Sequence, residues 1–358
     1  MPKRTVPFDA LGRIKKYEIY PIVYYNEFVH TCIKTNLYVK GVIMNKNIKI
    51  FVVIAIFVIG SIFFLSNNEE VSSPSTDSII FRLAETMPKE HPSAKATEHF
   101  ANLVYERSDG AINIKIYYDE ELGNAEEILD QIQFGGIAMA RVNALDLTER
   151  VHTIGQYFDP HLYSDADTLM NWIEMNHNRI SEFTQIERIH PLVWYYPDTR
   201  CFYSDKIHIT NILDFQNKNI NTVSSGIMRE TMGALGAQSV EIQTADTYQS
   251  LNTGYMDLGE TTLSQFVLSD YYNFIRYVTL SEYIANPDVL IISTISYASL
   301  NNQQRELIES CAQETYAYQR QEQAKFAAYW IDVLEEEKEL FIEDDVFKNA
   351  IRELINTN

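Results

Sequence analysis

The first residue that could bind a ligand is an arginine in a stretch where a charge is unexpected. Arg141 falls within GGIAMARVNA, residues 135–144, among small and apolar residues typical of a strand covered on both faces. A guanidinium keeps its proton in a protein, so burying it is unfavourable unless an anion meets it. The pattern predicts either an anion-binding site or an in-chain ion pair, with Asp257 or Glu260 as candidate partners. Asn143 would share a strand face with Arg141, because side chains alternate along a strand.

Motifs for catalysis or metal binding are absent from the sequence. It has no HExxH, GxSxG or P-loop pattern, and Gly233-x-x-Gly236 alone is too weak a signal for nucleotide binding. The histidine spacings predict no metal site, and nothing indicates a cofactor. Cys201 and Cys311 could form a disulfide outside the cell, although inert packing is the favoured interpretation of Cys201. These residues favour a binding protein over an enzyme.

Short strands alternating with amphipathic helices would position these residues. The periodicity predicts strands over 79–85, 112–118, 137–142, 191–197, 200–205, 218–223, 240–243 and 288–300. Helices are predicted over 93–108, 122–135, 227–237 and 302–337. The strand–helix–strand order is typical of an α/β protein with a parallel sheet.

The charge of the chain limits its partners. The net charge is −20, and residues 1–49 hold nine Lys or Arg against three Asp or Glu, so residues 50–358 carry −26. An acidic body repels phosphates at long range, which argues against nucleic acid as a partner. An anionic ligand would therefore have to be captured by a few local positive groups. The length of 358 residues is enough for two domains.

The N-terminal part has the pattern of an export segment. Residues 44–66 combine a basic flank with an apolar block, and a polar linker follows at 67–78. The uncharged stretch 50–68 would be about 28 Å long as a helix, enough to span a bilayer core. No small-residue cleavage pattern stands near Ser66, which favours a membrane anchor over a removed signal peptide. Residues 1–43 fit neither a signal nor a domain, so they are predicted to be an untranslated or disordered extension, with translation starting at Met44.

Five fragments resemble a known family, the extracytoplasmic solute-binding proteins of TRAP transporters of the DctP type. In chain order they are RLAETMPKEHPSAKATEHFANLVYERSDG, YYDEELGNAEEILDQIQFGGIAMARVNAL, WYYPDTRCFYSDK, ILDFQNKNI with ALGAQSVEI, and YQSLNTGYMDLGETT. The resemblance covers roughly residues 80–345. It implies a periplasmic or cell-surface protein that passes a small organic anion to small and large membrane subunits driven by an ion gradient.

The family fold implied by this resemblance has two α/β lobes, a cleft between them and a long C-terminal helix that spans the hinge. Lobe one would comprise residues 79–197 and 286–325. Lobe two would comprise residues 198–285 and 326–358.

The resemblance also implies site residues. Arg200 matches an arginine that holds ligand carboxylates, and Arg141 matches an arginine of relatives that resemble sugar-acid binders. Glu85 matches an acidic residue that accepts hydrogen bonds from ligand hydroxyls, and Asn143 would lie beside Arg141. Glu260 is expected to face the cleft.

Two positions depart from the family pattern. The arginine of the second-lobe strand is replaced by Asn221, and an asparagine after the acidic segment is replaced by Thr261. Losing a charge-assisted hydrogen bond worth about 1.5–3 kcal/mol would weaken binding roughly tenfold to a hundredfold. Three explanations stay open: the ligand is not a simple monocarboxylate, Arg141 has become the anchor, or this copy has decayed. The second is favoured because Arg141 offers the same planar fork of donors.

The function predicted from these residues is capture of a sugar acid or another carboxylate by closure of two lobes. Two other classes of function stay open. The chain could be the receptor of a signalling system that binds the same solute, or an anchored enzyme whose site has no recognised pattern.

Overall fold

Two β-sheets organise the molecule. The computed structural model describes residues 78–158, 162–163, 165–343 and 345–357. Within these ranges the strands are β1 Ile79–Glu85, β2 Ile112–Tyr117, β3 Met139–Asn143, β4 Ile189–Tyr195, β5 Arg200–Ser204, β6 Asn219–Asn221, β7 Gln238–Val240, β8 Leu258–Thr262, β9 Tyr277–Ser281, β10 Asp288–Ser293 and β11 Glu339–Ile342.

Helices connect and cover the strands. In the same ranges the α-helices are α1 Pro92–Arg107, α2 Ala125–Phe134, α3 Ala144–Arg150, α4 His152–Gly155, α5 Ala166–Met175, α6 His177–Ile186, α7 Gly226–Ala234, α8 Thr247–Thr253, α9 Leu263–Val267, α10 Thr294–Ala298, α11 Asn302–Glu337 and α12 Asp345–Thr357. Short 3₁₀ turns occupy Ile212–Phe215, Thr244–Asp246 and Asp270–Phe274.

The first sheet has the order β2-β1-β3-β10-β4. Strands β1, β2 and β3 are parallel, as βαβ connections require, whereas β10 runs antiparallel to both β3 and β4. Parallel pairing sets Glu85 beside Arg141, and antiparallel pairing sets Asp288 opposite Asn143. This sheet therefore gathers four polar residues from three distant parts of the chain where these strands begin or end.

The second sheet has the order β11-β9-β5-β8-β6-β7. Strand β5 is antiparallel to β8 and β9, and Phe202 lies opposite Glu260. Because residues two apart share a strand face, Arg200 points to the same face as Glu260. Gly259 is required beside them, since a Cβ there would collide with the ring of Tyr203.

The long helix α11 spans both sheets. Its beginning follows from a capping box, in which the side chains of Asn301 and Gln304 each accept a backbone N–H from the other. Ile308 and Cys311 pack in the core of the first sheet, and Leu334 packs in a core of the second. The helix predicted over 302–337 and its spanning position are confirmed.

A second connection between the sheets comes from α3. Leu145 packs with Phe202 and other residues of the second sheet, although it directly follows β3 of the first. The carboxylate of Glu149 accepts a hydrogen bond from the backbone N–H of Gly226, the first residue of α7, at 2.8 Å. These contacts connect the two sheets, in addition to the chain segments that pass from one sheet to the other.

Three sequence expectations require correction. Strand β10 ends at Ser293 instead of residue 300, and the chain continues as the short helix α10, which leaves Ile295 half exposed. The expected parallel sheet is parallel only over β1–β3, since later strands return in the opposite direction. Strands β8, β9 and β11 were not predicted. Cys201 and Cys311 are buried free thiols, which excludes the disulfide between them.

Within the described ranges, no helix combines the length and apolar character that crossing a bilayer requires. The predicted export segment 44–66, the extension 1–43 and nearly all of the linker 67–78 lie outside the described residues. The predicted lobe boundaries stay a prediction.

Candidate functional site

Arg141 is paired with a carboxylate of the protein itself. Arg141 is 1 % exposed, and its Nε donates to both carboxylate oxygens of Glu85 at 2.9 and 3.1 Å. Its Nη2 donates to Glu85 and, at 3.0 Å, to the hydroxyl of Thr86. The in-chain alternative is thus observed, but with Glu85 in place of Asp257 or Glu260. Asp257 instead accepts the backbone N–H of Asn219 at 2.9 Å.

A second carboxylate reaches the remaining nitrogen of Arg141. Asp288 Oδ1 lies 3.3 Å from Nη1 of Arg141 and accepts from Nδ2 of Asn143 at 3.3 Å. Its Oδ2 accepts from the hydroxyl of Ser93 at 2.8 Å. Burial lowers the pKa of Arg141, but Glu85 and then Asp288 outweigh it and leave the pKa above its ordinary value. The guanidinium is therefore held by two carboxylates at once.

Asn143 links this group to the next loop. Its Oδ1 accepts from the backbone N–H of Leu145 at 2.9 Å and from Nδ2 of Asn286 at 2.6 Å. The first of these bonds caps helix α3, which explains why an asparagine ends strand β3. We refer to Glu85, Arg141, Asn143, Asn286 and Asp288 as the Arg141 cluster.

His91 is the buried neighbour of the Arg141 cluster. It caps helix α1, since its Nδ1 accepts from the backbone N–H of Ser93 at 3.1 Å. Burial, and secondly the charge of Arg141, lower the pKa of His91 to about 3. His91 is therefore neutral at every physiological pH.

The His91 shift predicts an acid-sensitive fold. Because the folded pKa is below the unfolded value of 6.5, the unfolded chain binds the proton more readily between these values. The stability is complete above pH 6.5 and falls as pH decreases, by about 2 kcal/mol at pH 5. His91→Asn keeps a capping acceptor and should remove this loss. Urea unfolding of both proteins at pH 7.5 and pH 5 measures it, and equal losses in the two proteins would contradict the assignment.

The second buried arginine is held in the same manner. Arg200 is 1 % exposed, and its Nε and Nη2 donate to the two oxygens of Glu260, the latter at 2.6 Å. Glu260 also accepts from the hydroxyl of Thr222 at 2.7 Å. As with Arg141, burial lowers the pKa of Arg200, but the carboxylate beside it more than compensates.

Arg200 differs from Arg141 because one edge of its guanidinium has no hydrogen bond to a described residue. A guanidinium has one edge formed by Nε and Nη2 and another formed by Nη1 and Nη2, and Glu260 occupies the first. Among the described residues, no hydrogen bond uses Nη1 of Arg200, and the buried hydroxyl of Tyr283 interacts with Glu260 and Arg200 without meeting either in good hydrogen-bond geometry. Burial, and then the charge of Glu260, raise the pKa of Tyr283 well above its usual range, so the hydroxyl lies near this pair and stays protonated. The arrangement leaves donors for an additional acceptor.

A cavity of about 200 Å³ lies beside Thr222, and neither Arg200 nor Glu260 is among its lining residues. It is lined by Thr222, Val223, Ser224, Ser225, Arg229, Ser239, Val240 and Glu241. The hydroxyl of Thr222 also donates to Glu260, the carboxylate that pairs with Arg200. The cavity therefore reaches a residue that contacts this ion pair.

Two of the expected site residues, Asn221 and Thr261, make hydrogen bonds with groups other than the two buried arginines. The side-chain amide of Asn221 accepts from the backbone N–H of Ile242 at 3.2 Å and donates to its carbonyl at 3.4 Å. The hydroxyl of Thr261 donates to Oε1 of Gln265 at 2.7 Å. Thr261 follows Glu260 in strand β8 and thus faces the opposite side of the sheet. Both residues fasten backbone or neighbouring side chains instead of joining the two arginines.

Sequence reasoning missed Asp288, Asn286, Tyr283 and Thr222. Asp288 begins a predicted strand, and a carboxylate at the end of an apolar strand is a usable signal, but its partner Asn143 lies 145 positions earlier. Only the antiparallel pairing of β10 with β3 brings them together.

Two mixed α/β lobes joined by chain crossings and a long helix define a solute-binding protein. The family of bacterial extracellular solute-binding proteins, family 7 (DctP), matches residues 83–357, and the chain belongs to this family. The predicted family and the predicted extracytoplasmic, solute-receptor class are therefore confirmed.

Known proteins resemble the chain over most of its length. A solute-binding protein of Chromohalobacter salexigens is 21% identical over 265 residues, 74% of this chain and 77% of that protein. A TRAP periplasmic solute-binding protein of Sulfitobacter, solved with β-D-galacturonate, has a TM-score of 0.71 and 18% identity, covering 77% of this chain and 92% of that one. The sugar acid binding protein DctPAm of Advenella mimigardefordensis, solved with galactonate, has a TM-score of 0.72 and 20% identity, covering 78% and 91%. The predicted two-lobe fold is confirmed by these structures.

Proposed function

We propose that the protein captures a sugar acid, or a closely related small carboxylate, between its two lobes and delivers it to a TRAP-type permease. Delivery would be to small and large membrane subunits that use an ion gradient, and residues 50–68 would hold the receptor at the membrane. The ligands in two similar structures, galacturonate and galactonate, support this class of ligand. The lobes would comprise residues 79–197 with 286–325 and residues 198–285 with 326–358, a division that the distribution of strands between the two sheets supports.

The edge of Arg200 that is left without a hydrogen bond by the residues that the structure describes is the observation that carries this proposal, although the side chain itself is only 2% exposed. Glu260 orients the guanidinium from one edge, which leaves Nη1 and the second hydrogen of Nη2 for a ligand carboxylate. The hydroxyl of Tyr283 would donate to the same carboxylate. A planar pair of donors and a nearby hydroxyl provide the geometry that a carboxylate prefers.

Arg141 would not hold the ligand carboxylate, the role expected from the sequence, but would have a different one. All three of its nitrogens contact protein groups, so it orients the acceptors Glu85 and Asp288 and does not bind the acid itself. The ligand hydroxyls would donate to Asp288, because the side chain of Glu85 is fully buried. This assignment replaces the expectation that Arg141 compensates for the arginine missing at Asn221.

The short segment between strands β4 and β5, which passes from the first sheet to the second, keeps the two ends of the proposed site, Asp288 and Arg200, close to each other. Asp288 lies opposite Tyr195 in the first sheet, and Arg200 follows Tyr195 by five positions. Five residues span at most about 17 Å, even when fully extended. A ligand touching both ends would contact both lobes, and only such shared contacts favour closure.

A screen and one conservative variant test the proposal. Uronic, aldonic and dicarboxylic acids are added to the full-length protein, and the melting temperature is recorded; a sugar acid should raise it. Tyr283→Phe removes a hydroxyl without an in-chain hydrogen bond, so the free energy of unfolding should change by less than about 1 kcal/mol. Binding of the acid should weaken by about tenfold, which corresponds to one lost hydrogen bond. Unchanged affinity in this variant would place the carboxylate elsewhere, and no response to any acid would contradict the proposed function.

A further inference from the structure

The accessible part of the Arg141 cluster is a carboxylate and not the guanidinium. The side chain of Asp288 is 14% exposed, whereas those of Arg141 and Glu85 are 2% and 0% exposed. A chemical group that arrives from the solvent side therefore meets Asp288 first.

The charges of the cluster do not balance. One guanidinium faces the two carboxylates of Glu85 and Asp288, which leaves one net negative charge. Neutral His91 cannot offset it. Lys95, the other cation that acts on His91, is 39% exposed and lies 3.8 Å from Glu322, its own partner. A second negative charge brought to this position would be repelled in a partly buried environment, where charges are weakly screened.

The Arg141 cluster also contains a hydrogen-bond acceptor that has no partner among the described residues. Asn286 is 5% exposed; its Nδ2 donates to Asn143, while its Oδ1 is buried and accepts no hydrogen bond within the described part of the chain. Asn143 in turn donates to Asp288. A buried acceptor without a partner is unfavourable, so a ligand group that donates a hydrogen bond would be stabilised here.

We propose that Asp288, with Asn143 and Asn286, forms an acceptor subsite that takes a hydroxyl-bearing end of the ligand and rejects a second carboxylate. The inference rests on the proposed function, in which the single carboxylate binds Arg200. It narrows the substrate class to monocarboxylate sugar acids and excludes the corresponding diacids. Asp288 is then the residue that determines this specificity.

Matched pairs of acids isolate the subsite. D-galactonate and galactarate are both open chains and differ only at one end, where the hydroxymethyl group of the first is a carboxylate in the second; D-gluconate and glucarate differ in the same way. Calorimetric titration of the full-length protein should give a dissociation constant about 100-fold lower for the better monoacid than for its diacid. In Asp288→Asn this ratio should fall by about tenfold or more, because the variant removes the repelling charge and supplies a donor.

The ratio of two constants from one preparation does not depend on the folded fraction, so partial unfolding of the variant does not obscure the result. Asp167→Asn is the matched control, because Asp167 also pairs with one arginine but is 62% exposed and far from the cluster in sequence; its ratio should equal that of wild type. Equal affinity of the wild type for both acids of a pair, or an unchanged ratio in Asp288→Asn, would overturn the subsite and leave the proposed function standing. Binding of the diacids alone would likewise overturn only the subsite, whereas failure of every acid, monoacid and diacid alike, to bind would overturn the proposed function itself. If Asp288→Asn does not fold, the wild-type ratio alone decides.

Discussion

Arg200→Ala should weaken binding of the sugar acid by at least about 100-fold in calorimetric titration. The ligand carboxylate would lose two charge-assisted hydrogen bonds from the Nη1 and Nη2 edge, together worth about 3 kcal/mol or more. The substitution also leaves Glu260 buried without its guanidinium, since the side chain of Glu260 is 0% exposed. An unpaired buried charge is strongly destabilising, so the single variant should lose stability as well as affinity.

A double variant separates the two effects of removing Arg200. Arg200→Met combined with Glu260→Gln removes both charges of the pair, and its unfolding free energy should be closer to wild type than that of Arg200→Ala. Binding should remain lost in the double variant because the carboxylate donor is still absent. Arg276→Ala is the matched control, as Arg276 pairs with Glu339 on the same sheet but is 64% exposed. Wild-type affinity in the stable double variant would refute the role of Arg200.

Arg141→Ala should cost about 3–5 kcal/mol of unfolding free energy, measured by urea denaturation. The guanidinium compensates the carboxylates of Glu85 and Asp288, and the first of these is completely buried. Removing it leaves two negative groups near each other with no cation in contact. Sugar-acid binding should weaken too, because the acceptors for the ligand hydroxyls would lose their orientation.

A more exposed ion pair, between helices α2 and α3, calibrates this loss. Arg150 pairs with Asp130, and the two side chains are 28% and 51% exposed. Arg150→Ala should cost less than about 1 kcal/mol, as is usual for exposed ion pairs. A similar loss for Arg141→Ala would mean that the buried cluster is far less important for the fold than its contacts indicate.

The sequence predicted the elements with strong periodicity and clear end signals. Helix α11 was predicted at both ends, because recurring apolar residues along the chain are a local property. Strand β8 was missed because LGETT carries a buried glutamate, which no pattern based on apolar alternation would accept. Glu260 is compatible with this strand only because Arg200, 60 positions earlier, neutralises it.

The site was predicted only in part, again because contacts between residues far apart in the chain are not visible in a local sequence pattern. The unfavourable burial of a guanidinium indicated that Arg141 needs an anion, and this holds whatever the anion is. Its identity depends on which strands become neighbours, and pairing of β3 with β1 and β10 selects Glu85 and Asp288. Asn221 and Thr261 were predicted from family positions, but their neighbours Ile242 and Gln265 engage them locally.

The decisive measurement is a crystal structure of the protein with the sugar acid that most raises its melting temperature. We expect the ligand carboxylate to lie within hydrogen-bond distance of Nη1 of Arg200 and the hydroxyl of Tyr283, while Glu260 keeps the opposite edge of the guanidinium. We also expect ligand hydroxyls, and not the carboxylate, to contact Asp288. A carboxylate bound to Arg141 in place of Asp288, with Arg200 untouched, would contradict this arrangement.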